Sequence, residues 1–245
     1  MIEIVELGGI GEIAAGDDLA AILRDAIERC ALPLRDGDVL VVTQKIVSKA
    51  EGRQVNLKEI EPGEPARELS QLTRKDPRMV QLVLDESSEI VRAVPEVLIA
   101  RHKLGHVMAN AGIDRSNIGP SQGARALLLP LDPDATAANL HSALGVPVVI
   151  SDSFGRPWRL GVVGVAIGAA GIPALDDRRG ELDRDERPLE VTQVALADMI
   201  ASAAGLVAGE GAEGIPAVLV RGCRIEGTPR KAAELVRPRR EDLFA

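Results

Sequence analysis

VPVVISDSFGRPWRLG, residues 146–161, joins an apolar run to a polar one. Residues 146–150 read as a buried strand, because the run is short, continuous and rich in β-branched residues. The polar continuation gathers Ser151, Asp152, Ser153, Arg156 and Arg159 around Phe154 and the sole tryptophan, Trp158. Two readings fit it. In one, a rigid strand end delivers acid, hydroxyl and guanidinium groups to a loop that meets a ligand. In the other, Gly155 bends the chain and Pro157 stiffens an ordinary turn.

Downstream, GVVGVAIGAAG (residues 161–171) holds too much glycine for a helix. It reads as a strand that other backbone or a ligand approaches closely. Residues 176–188 are densely charged and read as a mobile loop, and residues 189–206 as the clearest late helix. A glycine-acid loop, residues 209–214, precedes a strand at 217–220.

Upstream, Asp132, Pro133 and Gly145 mark the cap, first position and stop of a helix. An apolar strand at 127–131 leads into it. Residues 2–5 read as a short strand, and residues 7–13 as a glycine-bearing loop without dinucleotide or P-loop spacing. Asp17 or Asp18 caps a helix over residues 17–31. Residues 39–47 begin as a central strand, and the end of that run brings Gln44, Lys45, Ser48, Lys49 and Glu51 together. Prolines punctuate two surface helices, 64–75 and 77–85. Strands follow at 89–94 and 97–100, then a hairpin turn at Lys103-Leu104-Gly105. The second hairpin strand runs into a further polar cluster, Asp114-Arg115-Ser116-Asn117. Strands and helices alternate irregularly, which predicts an α+β fold with mixed sheets and surface helices. The chain reads as a single domain over residues 1–245, with residues 56–88 or 176–188 as candidate subdomain edges.

Composition excludes several classes. Aromatic residues make up 1% of the chain and tyrosine is absent, so Ala, Val, Leu and Ile must pack the core. Net charge is −8 with no long basic run, which argues against a nucleic-acid partner. Residues 237–240 are arginine-rich, but Glu241 and Asp242 follow, so they read as a solvated end. Cys30 and Cys223 lack metal-type neighbours and read as small core residues in a reducing compartment. His102 and His106 face each other across a turn with no HExxH pattern, which argues against zinc. No signal peptide or membrane-length apolar run is present, so the expectation is a soluble, cytoplasmic protein with no membrane partner.

Asp114, Asp152, and Glu210 with Glu213 lie in three glycine-containing segments. Hard divalent cations want such oxygen ligands, often one or two carboxylates plus substrate phosphates. Lys49, Arg156 and Arg159 suit phosphate charge. These residues point to metal-assisted chemistry on a phosphorylated substrate. A non-catalytic binding role and an unrelated enzyme remain open at this level.

GDVLVVTQKIVSKAEG, ANAGIDRSNIG, LLPLDPDA, VISDSFGRPWRLG, AIGAAG and GEGAEGIPAVLVRG occur in that order. Together they resemble the coenzyme F420-0:L-glutamate ligase family, from about Ile2 to Phe244. The resemblance implies a two-part α+β fold with two intertwined subdomains, a homodimer, and the form that stands alone without a reductase domain. It implies GTP-dependent addition of L-glutamate to the lactyl-phosphate side chain of coenzyme F420-0 through an acyl phosphate. GTP would be co-substrate, and two divalent ions, Mg2+ or Mn2+, would assist. Carried over, Asp114, Asp152, Ser153 and Glu210 would bind metal, with Lys49, Asp114 and Asp152 catalytic. Ile10, Gly11, Glu12, Ile13, Gln44, Lys49 and Asn117 would line the nucleotide. Ala208, Gly209, Glu210, Gly211, Ala212, Glu213, Gly214 and Ile215 would wrap its phosphates. Relatives often carry Gln where Glu210 stands, a departure from the family's pattern at that position. Arg156 and Arg159 are candidates for the coenzyme phosphate or the glutamate carboxylate, or else for ion pairs with the acids of 176–188. Trp158 either stacks on the deazaflavin or packs. Two rival activities stay open: an amide ligase for another acidic cofactor, and a catalytically silent F420- or nucleotide-binding protein.

Overall fold

In chain order the computed structural model contains β1 (Glu3–Glu6), α1 (Leu19–Arg29), β2 (Val39–Thr43), α2 (Gln44–Ala50), β3 (Gln54–Asn56), α3 (Glu64–Thr73), α4 (Pro77–Glu86), β4 (Ser87–Val94), β5 (Val97–His102), β6 (Val107–Ala109), β7 (Arg125–Leu127), α5 (Pro133–Leu144), β8 (Val148–Arg156), β9 (Arg159–Ala170), β10 (Asp176–Asp177), β11 (Gln193–Val194), α6 (Leu196–Ala208) and β12 (Ala217–Arg221). The structure describes residues 1–31, 33–118 and 124–242; Gly119, which ends one quoted motif, and Phe244 lie outside them.

The main sheet has the order β1-β12-β2-β8-β9. Only the β2–β8 pair is parallel, and the other pairings are antiparallel. This mixed sheet is the expected α+β arrangement. Alternation along β2 sends Leu40 and Val42 to one core and Val39 and Val41 to the other. Helices cover both faces, which is why the run is continuously apolar. α1 and α5 bury Leu23, Ile27 and Leu140 on the first face, and α6 buries Ile200, Ala201 and Ala204 on the second.

A parallel pair needs a long crossover. Here residues 44–147 supply it, and they include the smaller sheet β4-β5-β6 and the β3–β7 pair. Leu98, Ala100, Val80, Val83 and Ala126 form a third core there. His106 meets Phe154 of β8 edge to face at 5.5 Å, linking this layer to the site strand.

The glycine-rich strand behaves as its composition predicts. A Cβ on Gly164 would lie 2.5 Å from the Ala201 carbonyl oxygen, and one on Gly168 would lie 2.3 Å from that of Pro133. Both α6 and α5 therefore press their backbones onto β9. The α5 signals also hold. Asp132 accepts from Ala135 N at 2.9 Å, and Gly145 closes the helix at φ 69°. Asp18, not Asp17, caps α1, accepting from Ala21 N at 3.1 Å.

Several expectations are corrected. The 39–47 run breaks at Thr43, where the period changes from two to that of a helix, and Ser48 Oγ donates to Gln44 Oε1 at 2.9 Å across one turn. Leu128 and Leu129 stay buried, but the strand ends at Leu127; exposed Leu131 gives its N–H to Glu51. The polar stretch after Ile150 is not a loop. β8 continues to Arg156, paired along its length with β9, and Pro157 and Trp158 make the turn. Residues 176–188 are tied rather than loose, with Gly180 N to Leu189 O and Asp183 N to Arg187 O both at 2.8 Å. The late helix starts at Leu196, because Gln193 and Val194 pair with Asp177 and Asp176. Cys30 and Cys223 are half-buried rather than core residues. Among the described residues no helix is long and apolar enough to cross a membrane.

Candidate active site

A cavity of about 1100 Å³ opens where the two sheets meet. It is lined by residues 10–13, by Gln44, Lys45 and Lys49 of α2, by residues 112–118, by Asp152 and Ser153 of β8, and by residues 208–216. Every nucleotide, metal and catalytic position implied by the resemblance is in that lining. The topology accounts for this convergence. The parallel register sets Thr43 beside Ser151, so the start of α2 stands next to Asp152.

Asp152 points out of the middle of β8, opposite Val165. Part of its surface still faces the cavity, yet surrounding protein strips its solvation and pushes its pKa up to about 7. The Ser153 backbone N–H opposes that shift; the negative charges of Asp114 and Glu210 add to it, and Lys45 offsets them. Ser153 Oγ donates to Glu210 Oε1 at 2.6 Å, joining the strand to the 208–215 loop.

Asp114 is reached through an unusual turn. Asn110, Ala111 and Gly112 are all left-handed, at φ 50°, 51° and 71°. Such backbone costs about 1–3 kcal/mol at each non-glycine position and is held only by its surroundings. Asp114 then pairs its backbone with Leu127, N to O at 3.0 Å and back at 2.9 Å. Its carboxylate receives Lys45 Nζ, and also Ser116 Oγ at 3.2 Å. Asn117 Nδ2 donates to Gly211 O at 2.8 Å, and Gly211 N donates to Glu213 at 2.8 Å. Lys49 pairs with Glu12 at 3.0 Å. Gln44 is buried with its Nε2 unpaired among the described residues, although it lines the cavity.

Lys45 is the partner that the sequence reading left out of the site. Its signal was the four-residue spacing to Lys49, which shows one helix face only once α2 is recognised as a helix. Arg156 and Arg159 sit at the hairpin turn, outside the cavity lining. Arg156 Nη2 donates to Leu160 O at 3.0 Å, within the turn rather than to an acid of 176–188. Trp158 is 83% exposed at the same turn.

As a chemical arrangement, the cavity offers hard oxygen donors on facing elements, two lysines and a loop of backbone amides. Among the described residues no three His, Cys, Asp or Glu side chains cluster tightly enough to hold one ion. The carboxylates and the Ser153 hydroxyl are hard oxygen donors, the chemistry that a cation of the Mg2+ type takes one or two at a time, completing its shell with phosphates and water.

The sequence matches the F420-0:gamma-glutamyl ligase family over residues 9–222. It is 50% identical over 226 residues to the coenzyme F420:L-glutamate ligase of Natronomonas pharaonis, covering 90% of this chain and 86% of the relative. It is 46% identical over 244 residues to that of Methanopyrus kandleri, covering 95% and 93%. With that of Methanothermobacter thermautotrophicus the identity is 42% over 254 residues, covering 99% and 98%.

Proposed function

The chain belongs to the F420-0:gamma-glutamyl ligase family, and from that premise we propose that it joins L-glutamate to coenzyme F420-0 at the expense of GTP. The observation that carries this reading is the convergence of Asp114, Asp152, Glu210, Lys49 and the 208–215 loop on one cavity. Acids for a cation and a glycine-rich loop for phosphates are what a phosphoryl-transfer site requires.

Amide formation from a carboxylate is uphill in water, so the carboxylate needs activation. In the proposed route the lactyl carboxylate takes the γ-phosphoryl group of GTP, giving an acyl phosphate and GDP. The glutamate ammonium first gives one proton to solvent; its nitrogen then forms the C–N bond, the C–O bond to phosphate breaks, and a second nitrogen proton passes to the departing phosphate.

Mg2+ or Mn2+, two ions by the family resemblance, would supply positive charge at the phosphoryl oxygens when bound. Asp114, Asp152, Glu210 and the Ser153 hydroxyl would share the two ions between them, each ion taking one or two of these groups beside phosphate oxygens and water. Lys49 and the backbone amides of residues 208–215 would orient the phosphates. The strand position of Asp152 and the tethered backbone of Asp114 keep these groups in fixed places, which is how positioning lowers the barrier. The homodimer rests on the family resemblance, and Leu160, Val162 and Leu206 are exposed apolar residues that such an interface would cover.

The test is mass spectrometry of F420-0 incubated with the protein, GTP, Mn2+ and glutamate. The expected product is one or more glutamate residues heavier, and absent when GTP is omitted. Unchanged F420-0 in the complete mixture overturns the reading.

A further inference from the structure

The cavity lining carries five acids and three cations among the described residues, the cations being Lys45, Lys49 and Arg115. Two of the three are engaged. Lys45 sits on Asp114, and Lys49 is 3.0 Å from Glu12. Arg115 makes no hydrogen bond or ion pair among the described residues. The acid that feels its charge, Asp76, is already gripped by both ends of the Arg78 fork, at 3.0 and 2.6 Å.

The backbone beneath Arg115 is nevertheless held on both sides. Asp114 pairs with Leu127, and Asn117 reaches across the cavity mouth to Gly211 at 2.8 Å. A fixed backbone presenting an unengaged guanidinium at a site wall is a receiver for an oxyanion, because Arg binds carboxylate and phosphate through paired N–H groups. Every substrate of the proposed reaction is an anion. The nucleotide phosphates already have Lys49 and the 208–215 loop. The substrates that the new amide bond joins have no cation assigned inside the cavity, since Arg156 and Arg159 lie outside its lining.

We infer that Arg115 binds an oxyanion of one of the two substrates being joined, either a carboxylate of the incoming glutamate or the phosphodiester of the coenzyme. The inference rests on the ligase reading above and adds a substrate-binding residue to it. Arg115 is exposed, so replacing it leaves the packing intact.

The experiment compares wild type with Arg115→Gln and Arg115→Lys. It measures kcat, KM for each of the three substrates, and direct F420-0 binding by deazaflavin fluorescence. Losing a charge-assisted contact raises KM by about tenfold to a hundredfold. Arg115→Gln should do this for one joined substrate while the KM for GTP stays within about twofold, and Arg115→Lys should recover part of the loss, as a point charge without the fork. A glutamate KM that rises alone assigns the carboxylate. A coenzyme KM and dissociation constant that rise together assign the phosphodiester. Unchanged values for both in an active Arg115→Gln protein overturn the inference and leave the ligase reading standing. A wild type that neither binds F420-0 nor adds glutamate overturns both.

Discussion

Lys45 Nζ rests on the Asp114 carboxylate, the group that a divalent cation would also need. The lysine therefore competes with the metal it would later assist. Exposed or half-exposed ion pairs are worth at most about 1 kcal/mol, so removing this one should tighten Mn2+ binding by up to about fivefold. Electron paramagnetic resonance titration of Lys45→Met without nucleotide is the check. Turnover should fall in the same variant, because the cavity loses one of its two lysines and Lys49 alone is left to offset phosphate charge. Equal or weaker Mn2+ binding would show that the lysine holds Asp114 in place rather than competing for it.

Asp152→Asn should abolish turnover and yet stabilise the metal-free protein at alkaline pH. The pKa of Asp152 is about 7 in the fold, against 3.8 for the free side chain. Between those values the folded state keeps a proton that the unfolded state has lost. Stability contributed by this group is thus present below about 4 and is lost as pH rises toward 7. Asparagine removes the burden, by about 1–4 kcal/mol at pH 8. Chemical denaturation at pH 5 and pH 8 should show the variant gaining mainly at the higher value. A gain of equal size at both would mean the carboxyl is not the cause.

Gly168→Ala should destabilise without touching the cavity. Its new methyl would need the space of the Pro133 carbonyl, 2.3 Å away, so α5 has to move off β9. Overpacking of this kind costs about 1–3 kcal/mol, which in a chain of this length lowers Tm by about 3–10 °C. Calorimetry measures it, and an unchanged Tm would mean that α5 shifts freely.

The proposed homodimer predicts a light-scattering mass of about twice 25.9 kDa. Leu160, 97% exposed, and Leu206, 82% exposed, are the residues whose change to Lys should shift the mass toward the monomer. A fully active strict monomer in the wild type would remove the dimer from the reading.

Much of this architecture was legible because local chemistry and tertiary demand agree. Asp132, Pro133 and Gly145 cap α5 as their side chains dictate, and the apolar run at β2 matches a strand covered on both faces. What was not legible depends on distant partners. Ser151, Asp152 and Ser153 carry a loop's composition, but β9 supplies a ladder that makes them strand. Gln193 and Val194 would extend a helix, except that Asp176 and Asp177 claim their backbone. Lys45 gained its role from Asp114, sixty-nine residues away, and no local pattern reports such a contact. Asp114, Asp152, Glu210 and Glu213 stand out in the sequence as acids in glycine-containing segments, but only the order of the motifs sets them apart from any acidic loop.

The 208–215 loop is tied to both walls of the cavity, to β8 through Ser153–Glu210 at 2.6 Å and to the Asp114 segment through Asn117–Gly211 at 2.8 Å. An acyl phosphate hydrolyses if water reaches it, so a ligase of the proposed kind must keep its phosphate loop closed until the amine arrives. Phosphate release should therefore need GTP and coenzyme together, and should continue at a steady rate only with glutamate present. Asn117→Ala removes one tie while leaving Asp114, Asp152 and Lys49 in place. In that variant the glutamate-independent release should rise relative to amide formation, by about five- to tenfold if a hydrogen bond worth about 1 kcal/mol was holding the loop. The measurement is phosphate release against glutamate incorporation, with each component omitted in turn. Tight one-to-one coupling in Asn117→Ala would show that this bond does not guard the intermediate. Rapid GTP hydrolysis by the wild type without coenzyme would remove the acyl-phosphate route itself.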